Sequence, residues 1–186
     1  MKFENTSVYN IYNAILGARN PMNSWGKSDS VFNGYNGKIE NTEIGKNDLD
    51  LMQKLIRAGT PHRKFMRQIF VSVDITAPLY WWKEFDTYKV GTTSNSTSTM
   101  HKLASTPITK DCFEMDDFDN LDDRIFYATT YKFWENKNVW DEFLIPILEI
   151  LREKYNETKD KRFWKELIRL LPESWLQTRT ITRYRR

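Results

Sequence analysis

The chain has 186 residues, of which 40% are hydrophobic and 15% aromatic, a composition that can bury a substantial core and excludes a disordered protein. Its 28 basic and 25 acidic side chains leave a formal net charge of +3, so composition alone does not call for nucleic acid or a membrane as partner. One cysteine excludes an internal disulfide framework, the amino-terminal residues lack an apolar signal-peptide core, and no stretch approaches the ~18 apolar residues of a membrane span. We therefore expect a cytoplasmic protein.

The first third of the chain predicts two helices separated by a loop. Ser7 is the expected N-cap of a short amphipathic helix over about 7–19. A loop rich in glycine and asparagine follows, and within it Asn36-Gly37 favours the type I′ turn of a hairpin. Asn47 or Asp48 is expected to cap the second helix.

The middle of the chain predicts a strand, a helix and a polar loop. Residues 68–76 alternate in polarity, which indicates a strand with one strongly apolar face. Pro78 suits the first position of an aromatic, amphipathic helix. The hydroxyl run, residues 92–99, then consists entirely of Thr, Ser and Asn. Because it carries no charge and buries no apolar surface, it is either a solvated linker or an ordered pocket loop, and we favour the loop.

The last third predicts helices and a final strand. Residues 113–123 are acidic and are interpreted as a solvated turn and helix N-terminus, since a calcium loop would need a glycine and a closing glutamate that are missing. Helices are expected over about 124–171, with Pro146 at a kink or a start. Alternation through 175–181 then indicates a strand. The order is typical of an α+β (mixed α/β) fold, a single domain with a small sheet flanked by several helices.

Few side chains are available for catalysis. His62, His101 and Cys112 are too scattered for a tetrahedral zinc site, so no metal is expected, and nothing marks the cysteine as an activated nucleophile. No dinucleotide-binding glycine motif, phosphate-binding loop or nucleophile elbow is present, and catalytic residues stay unassigned. The carboxy-terminal arginines are either a frayed tail or phosphate ligands, and they are Arg179, Arg183, Arg185 and Arg186.

Three stretches occur in an informative order. "AILGAR" comes first, then "LIRAGTPHRKFMRQIFVSVDITAPLYWWKEFDTYKVGTTSNSTSTMHKL", and finally "LLPESWLQTRTIT". This course resembles the flavin-dependent thymidylate synthases, which have an amino-terminal Ala-Arg, a GH turn, an FTF strand, a helix and the signature RHRxxSxNExSxRY. Late in their chains, a Leu-Pro precedes a strand that bears an arginine. The resemblance covers about 7–20, 48–103 and 165–182.

The resemblance implies a ligand site on the hydroxyl run and on the final strand. In the family the signature holds the phosphates of FAD and the phosphate and base of dUMP, and the strand arginine touches the nucleotide. The Arg-His-Arg positions of the signature fall on Thr87, Tyr88 and Lys89, and the strand arginine falls on Arg179. The expected residues for binding a nucleotide or flavin are therefore Lys89, Thr92, Ser94, Asn95, Thr97, Ser98, Thr99 and Arg179.

This chain departs from the family pattern in two ways. Two of the three signature arginines are lost, which should weaken anion binding by ~1.5–3 kcal/mol for each charged hydrogen bond. The family also continues past the last strand into a helix with a further nucleotide-binding arginine. We therefore expect residues 1–186 to be one domain of this kind that lacks the carboxy-terminal helix, and thymidylate synthesis becomes doubtful.

Three hypotheses about function follow. The first is a divergent, non-catalytic protein that binds a nucleotide or flavin-type anionic ligand; a phage-encoded version would sequester a nucleotide. The second is an active FAD-dependent thymidylate synthase that methylates dUMP. The third is a structural or protein-interaction module, because seven tryptophans are available for an interface. The resemblance also implies a homotetramer.

Overall fold

The computed structural model describes residues 1–35, 38–88, 90–98, 102–115 and 140–184. Its helices and strands, in chain order, are β1 (Lys2–Tyr9), α1 (Ile11–Arg19), β2 (Val31–Tyr35), β3 (Lys38–Glu43), α2 (Lys46–Arg57), β4 (Phe70–Pro78), α3 (Leu79–Phe85), β5 (Thr92–Ser96), α4 (Ile145–Thr158), α5 (Lys161–Leu170) and β6 (Leu176–Tyr184). Together they form a small four-stranded sheet, a separate two-stranded sheet of β2 and β3, and several helices, which confirms the mixed α+β class.

The four strands of the sheet are ordered β1-β4-β6-β5. β4 and β6 are antiparallel, because their paired side chains run in opposite directions along the two strands. Ser72 bonds to Thr182, Asp74 to Thr180 and Thr76 to Thr178. The alternation expected for both strands is confirmed. These six residues lie on one face of the sheet, and the other face carries the apolar positions of β4, including the buried Ile75.

The chain divides into two compact units, and every strand of the sheet contributes residues to both. The first unit comprises Met1–Phe3, Ile75–Tyr88 and Asn95–Arg179, and its buried core is Leu103, Ile108, Phe113, Leu148 and Leu167. The second unit comprises Glu4–Asp74, Lys89–Ser94 and Thr180–Arg186, and its buried core is Ile15, Met52 and Phe65. Within the described part of the chain, no helix has the length and apolarity needed to cross a membrane.

The amino-terminal segment differs from the expectation. Ser7 is not a helix cap, because it lies in β1, and α1 begins at Ile11. Asn10, with a positive φ of 64°, turns the chain between the two elements. Residues Lys2–Tyr9 form a strand because they pair with β4 in the sheet. A partner so distant in sequence leaves no local periodicity from which the strand could be predicted.

The first five residues of the hydroxyl run form a strand rather than a loop. Residues Thr92–Ser96 form β5 at the edge of the sheet, because β-branched threonines suit a pleated, half-exposed position. Gly91 immediately precedes this strand with a φ of 66°, and a Cβ there would lie 2.4 Å from the ring of Tyr184. Only glycine fits so close to that ring, and the Tyr184 N–H donates to the Gly91 carbonyl at 3.1 Å.

The predicted hairpin is confirmed, since β2 and β3 pair antiparallel with Tyr35 opposite Lys38. Its expected turn residues, Asn36 and Gly37, lie outside the described residues. The predicted cap of the second helix is wrong, because α2 begins after Gly45 and Asp48 lies buried within its first turn.

The later elements agree with the sequence over the part that is described. Pro78 ends β4 and caps α3, one residue earlier than expected. Pro146 lies at the start of α4, directly after a π-helical turn over Trp140–Leu144, so it marks a change of helix type within a continuous helical stretch. The acidic stretch beyond Met115 and the first of the predicted late helices lie outside the described residues.

Candidate functional site

Thr97 attaches the end of the hydroxyl run to β6. Its main-chain N–H donates to the Thr178 carbonyl at 2.9 Å. Its Oγ1 donates to the same carbonyl at 3.1 Å and accepts from the Thr178 N–H at 3.3 Å. The side chain thus takes the place of a main-chain partner where the strand ends, and it holds this part of the run in place although Thr97 is exposed.

Arg179 on β6 has a fixed orientation. Its Nε donates to Gln177 Oε1 at 2.9 Å and its Nη1 to Asp86 Oδ1 at 2.8 Å. The guanidinium carbon lies 4.2 Å from the ring centroid of Trp82, within the range of a cation–π interaction. The Arg179 side chain is only 15% exposed. These contacts restrict its rotamers and hold the guanidinium plane in one place.

Trp82 forms a rigid base for this arginine. It is buried, and its indole N–H is shared between the carbonyls of Ala77, at 3.1 Å, and Gln177, at 3.0 Å. The rings of Trp81 and Phe85 pack against it edge-on, with centroids 4.9 and 5.5 Å away. α3 therefore contributes one aromatic surface, which explains why this short helix carries so many rings.

Gln177 joins two of the sequence-predicted residues. Its Oε1 accepts from Arg179, and its Nε2 donates to the Thr97 carbonyl at 2.9 Å. We call Trp82, Asp86, Thr97, Gln177 and Arg179 the Arg179 cluster. All five lie in the first unit.

The structure places the other predicted residues as follows. Asn95 is exposed on β5, and the carbonyl of Ser98 accepts from the Lys102 N–H at 2.9 Å. Thr92 and Ser94 lie on the part of β5 that belongs to the second unit. Lys89 and Thr99 lie outside the described residues.

Three members of the cluster were missed by reasoning from sequence. Gln177 could have been found, because residues two apart on a strand share a face and Arg179 had already been singled out. Trp82 was assigned to an amphipathic helix, but the sequence did not indicate that it would contact Arg179. Asp86 carries no sequence signal, since it is 93 residues from the arginine that it contacts.

The second unit contains a cleft of about 420 Å³. Ala18, Leu55 and Phe65 supply its apolar surface, whereas His62, Lys64 and Gln68 supply polar groups. Its remaining lining residues are Gly17, Pro21 and Pro61. Two stretches that carry the resemblance, the end of "AILGAR" and the turn after α2, meet at this cleft. None of the sequence-predicted ligand residues lines it.

Arg19, next to the cleft-lining Ala18, has a structural role. It is 4% exposed, and its Nε and Nη2 both lie 2.6 Å from Oδ1 of the buried Asp48. The other oxygen of Asp48 accepts from the Ser28 and Ser30 hydroxyls at 2.7 and 2.5 Å. Burial alone would raise the pKa of Asp48, but the hydrogen bonds from Ser30, Ser28 and Arg19 outweigh it and hold the pKa below its usual value.

Asp74 is a second carboxylate in this unit with neutral partners. It accepts from the Thr180 hydroxyl at 2.6 Å and from the Asn5 amide at 2.8 Å. The Thr180 bond, followed by the Asn5 bond, lowers the pKa of Asp74 below its usual value. Both carboxylates are therefore charged at neutral pH.

No protein-family model and no curated protein matches the chain. Solved structures do match. One is thymidylate synthase X from Helicobacter pylori with FAD and dUMP, at 14% identity and a TM-score of 0.59, covering 99% of this chain and 78% of that one. Another, a flavin-dependent thymidylate synthase from the same organism in complex with FAD and dUMP, has 15% identity, a TM-score of 0.58 and coverage of 99% and 79%. This chain has a thymidylate synthase X-like fold. The fold implied by the resemblance is thereby confirmed.

Proposed function

We propose that this protein binds a nucleotide or flavin-type anionic ligand without full thymidylate synthase activity. The likeness to structures that hold FAD and dUMP extends over 99% of the chain, which supports an inherited binding function. The chemistry of the signature has nonetheless changed, because Thr87 and Tyr88 stand where the family has arginine and histidine.

The observation that carries the proposal is the fixed position of the Arg179 guanidinium. A guanidinium fork suits phosphate oxygens, and this one is held against a buried tryptophan by hydrogen bonds that Nε and Nη1 donate. In the proposed site Arg179 supplies the charge. Polar side chains and main-chain N–H groups of Asn95, Thr97 and Ser98, in the same unit, add weaker contacts. Lys89, Thr92, Ser94 and Thr99 stay ligand residues proposed from the resemblance alone.

The cleft in the second unit supports binding of a ligand with a planar ring. Apolar side chains form most of such binding sites, and a few polar groups orient the ligand. Here Phe65 and Leu55 supply the apolar contact, and Lys64 supplies a positive charge. In the enzyme alternative this cleft is the candidate site for FAD, and dUMP is the proposed nucleotide for the Arg179 cluster.

The first test is to purify the protein, record its visible spectrum, denature it and identify the released molecules by mass spectrometry. A colourless protein that releases a nucleotide is the expected result. A yellow protein that releases FAD keeps flavin binding and makes the enzyme alternative the better one. A protein that releases nothing and binds neither added FAD nor dUMP contradicts the proposal and favours the interaction module.

The second test addresses turnover. Expression in a thymidine auxotroph should fail to restore growth, because two signature arginines are replaced by threonine. Growth without thymidine would show an active FAD-dependent synthase that methylates dUMP. In a parallel culture, the same auxotroph carrying a functional family member instead of this protein is the positive control.

We further propose that the protein acts in the cytoplasm as a phage-encoded, nucleotide-sequestering homotetramer. Sequestration requires binding without turnover, which the lost arginines favour. Light scattering coupled to gel filtration measures the oligomer directly. A monomer that retains the nucleotide would contradict the tetramer and leave the binding function intact.

A further inference from the structure

Asp86 differs from the other members of the Arg179 cluster because it is only loosely held. Its carboxylate contacts Arg179 Nη1 at 2.8 Å, yet its side chain is 50% exposed, whereas that of Arg179 is 15% exposed. Arg179 also has Gln177 and the Trp82 ring as partners. If the ion pair opens, the guanidinium therefore stays in place and the carboxylate moves into water at little solvation cost.

The position of Asp86 on its helix is unfavourable for a negative charge. Asp86 is the C-cap of α3, and its N–H donates to the Trp82 carbonyl at 2.8 Å. The carboxy-terminal end of a helix carries partial negative charge, which repels a carboxylate. Arg179 is the cation that compensates for this repulsion.

We propose that Asp86 is an internal counter-ion for Arg179 that an anionic ligand group must displace, so that the cluster selects for charge. This inference rests on the proposed function and adds to it the means by which the site selects the charge of its ligand. A phosphate monoester carries a charge of about −1.5 to −2 at neutral pH, so it competes with one carboxylate for the guanidinium better than a monoanion does. The preferred ligand is thus a nucleoside monophosphate with a terminal phosphate.

The test compares dUMP with deoxyuridine, which lacks the phosphate, by calorimetry at low salt. Asp86→Asn should tighten dUMP binding about two- to fivefold, the range that corresponds to loss of one exposed ion pair, and should leave deoxyuridine unchanged. Asp86→Ser is a second variant with the same expectation. Glu173→Gln is the matched control, because it removes an equal charge from another exposed ion pair, 2.5 Å from Lys83, and should change neither affinity.

The inference is overturned if Asp86→Asn and Asp86→Ser bind dUMP no more tightly than the unmodified protein, or if deoxyuridine binding changes by the same factor. If neither the protein nor its variants bind dUMP at all, the proposed dUMP site fails. The counter-ion is then judged without a nucleotide, by following the Arg179 Nε–H NMR signal during titration with inorganic phosphate. That signal, assigned by its loss in Arg179→Lys, should move at lower phosphate concentration in Asp86→Asn; equal midpoints would overturn the inference.

Discussion

Two arginine–aspartate pairs, one in each unit, have opposite characters. Arg19 and Asp48 are 4% and 1% exposed, and the aspartate also accepts from Ser28 and Ser30. The Arg179–Asp86 pair has similar distances, but its aspartate is half exposed and has no further partner among the contacts described here. Distance alone therefore does not distinguish a structural pair from one that a ligand can open.

The difference lies in hydration and in the number of other bonds. Breaking the buried pair leaves a charge that water does not solvate, whereas the exposed carboxylate of Asp86 is solvated as soon as it separates from Arg179. Both arginines belong to stretches that resemble the thymidylate synthases. Only Arg179 retains a partner that can be exchanged, and this makes it the better ligand residue of the two.

The largest expected effect breaks the buried pair. Asp48→Ala leaves the Arg19 charge buried and should lower the free energy of unfolding by ~3–5 kcal/mol. Urea denaturation followed by circular dichroism measures the loss. A loss below ~1 kcal/mol would show that water reaches Arg19, and the contrast between the two pairs would disappear.

A smaller loss in the free energy of unfolding is expected for a change at Trp82, on which Arg179 rests. Trp82→Phe removes the N–H that serves the Ala77 and Gln177 carbonyls, which should cost ~1–3 kcal/mol. The control is Trp81→Phe, since the Trp81 ring stacks on Phe85 and is only partly buried. Equal losses in the two variants would mean that ring volume, rather than the indole N–H, accounts for the contribution of Trp82 to stability.

The third prediction concerns Asp74, a carboxylate that is stabilised by neutral donors instead of an arginine. The pKa of Asp74 is lowered chiefly by the Thr180 hydroxyl, so Thr180→Val should raise it towards its usual value. Because the folded pKa is depressed, Asp74 adds stability above the unfolded pKa, and this is lost as pH falls below about 4. The variant should therefore lose less stability in acid. Carboxyl NMR titration measures the pKa, and an unchanged value would contradict the prediction.

The smallest expected change is in the stability of Asp86→Asn. An exposed ion pair contributes about 0–1 kcal/mol, so urea denaturation should place this variant within that range of the unmodified protein. A loss as large as that of Asp48→Ala would make Asp86 a structural residue and exclude the exchange with a ligand.

Local pattern predicted most of the regular structure. Alternation identified β4 and β6, and helical spacing identified α4 and α5, because one face of each element is apolar at the corresponding period. The hairpin followed from its turn residues. The edge strands β1 and β5 were missed, since their exposed polar sequences have no apolar face to reveal the period.

The candidate site was only partly predictable. The resemblance singled out Arg179 and Thr97, and both belong to one cluster. Its remaining members come from two other places, with Trp82 in α3 and Asp86 at its C-cap, and Gln177 beside Arg179 on β6, and the cleft in the second unit was not anticipated. Such groupings depend on which distant segments pack together, and this has no local signature.

The sequence by itself determined the class of fold, the order of the elements and the loss of the signature arginines, because these depend on periodicity and residue type. Tertiary structure alone decided which arginine is held in a buried pair and which has a partner that a ligand can replace. Arg19 and Asp48 are 29 residues apart and Arg179 and Asp86 are 93 apart. Burial and surrounding partners, which only the folded chain specifies, give the two pairs their different roles.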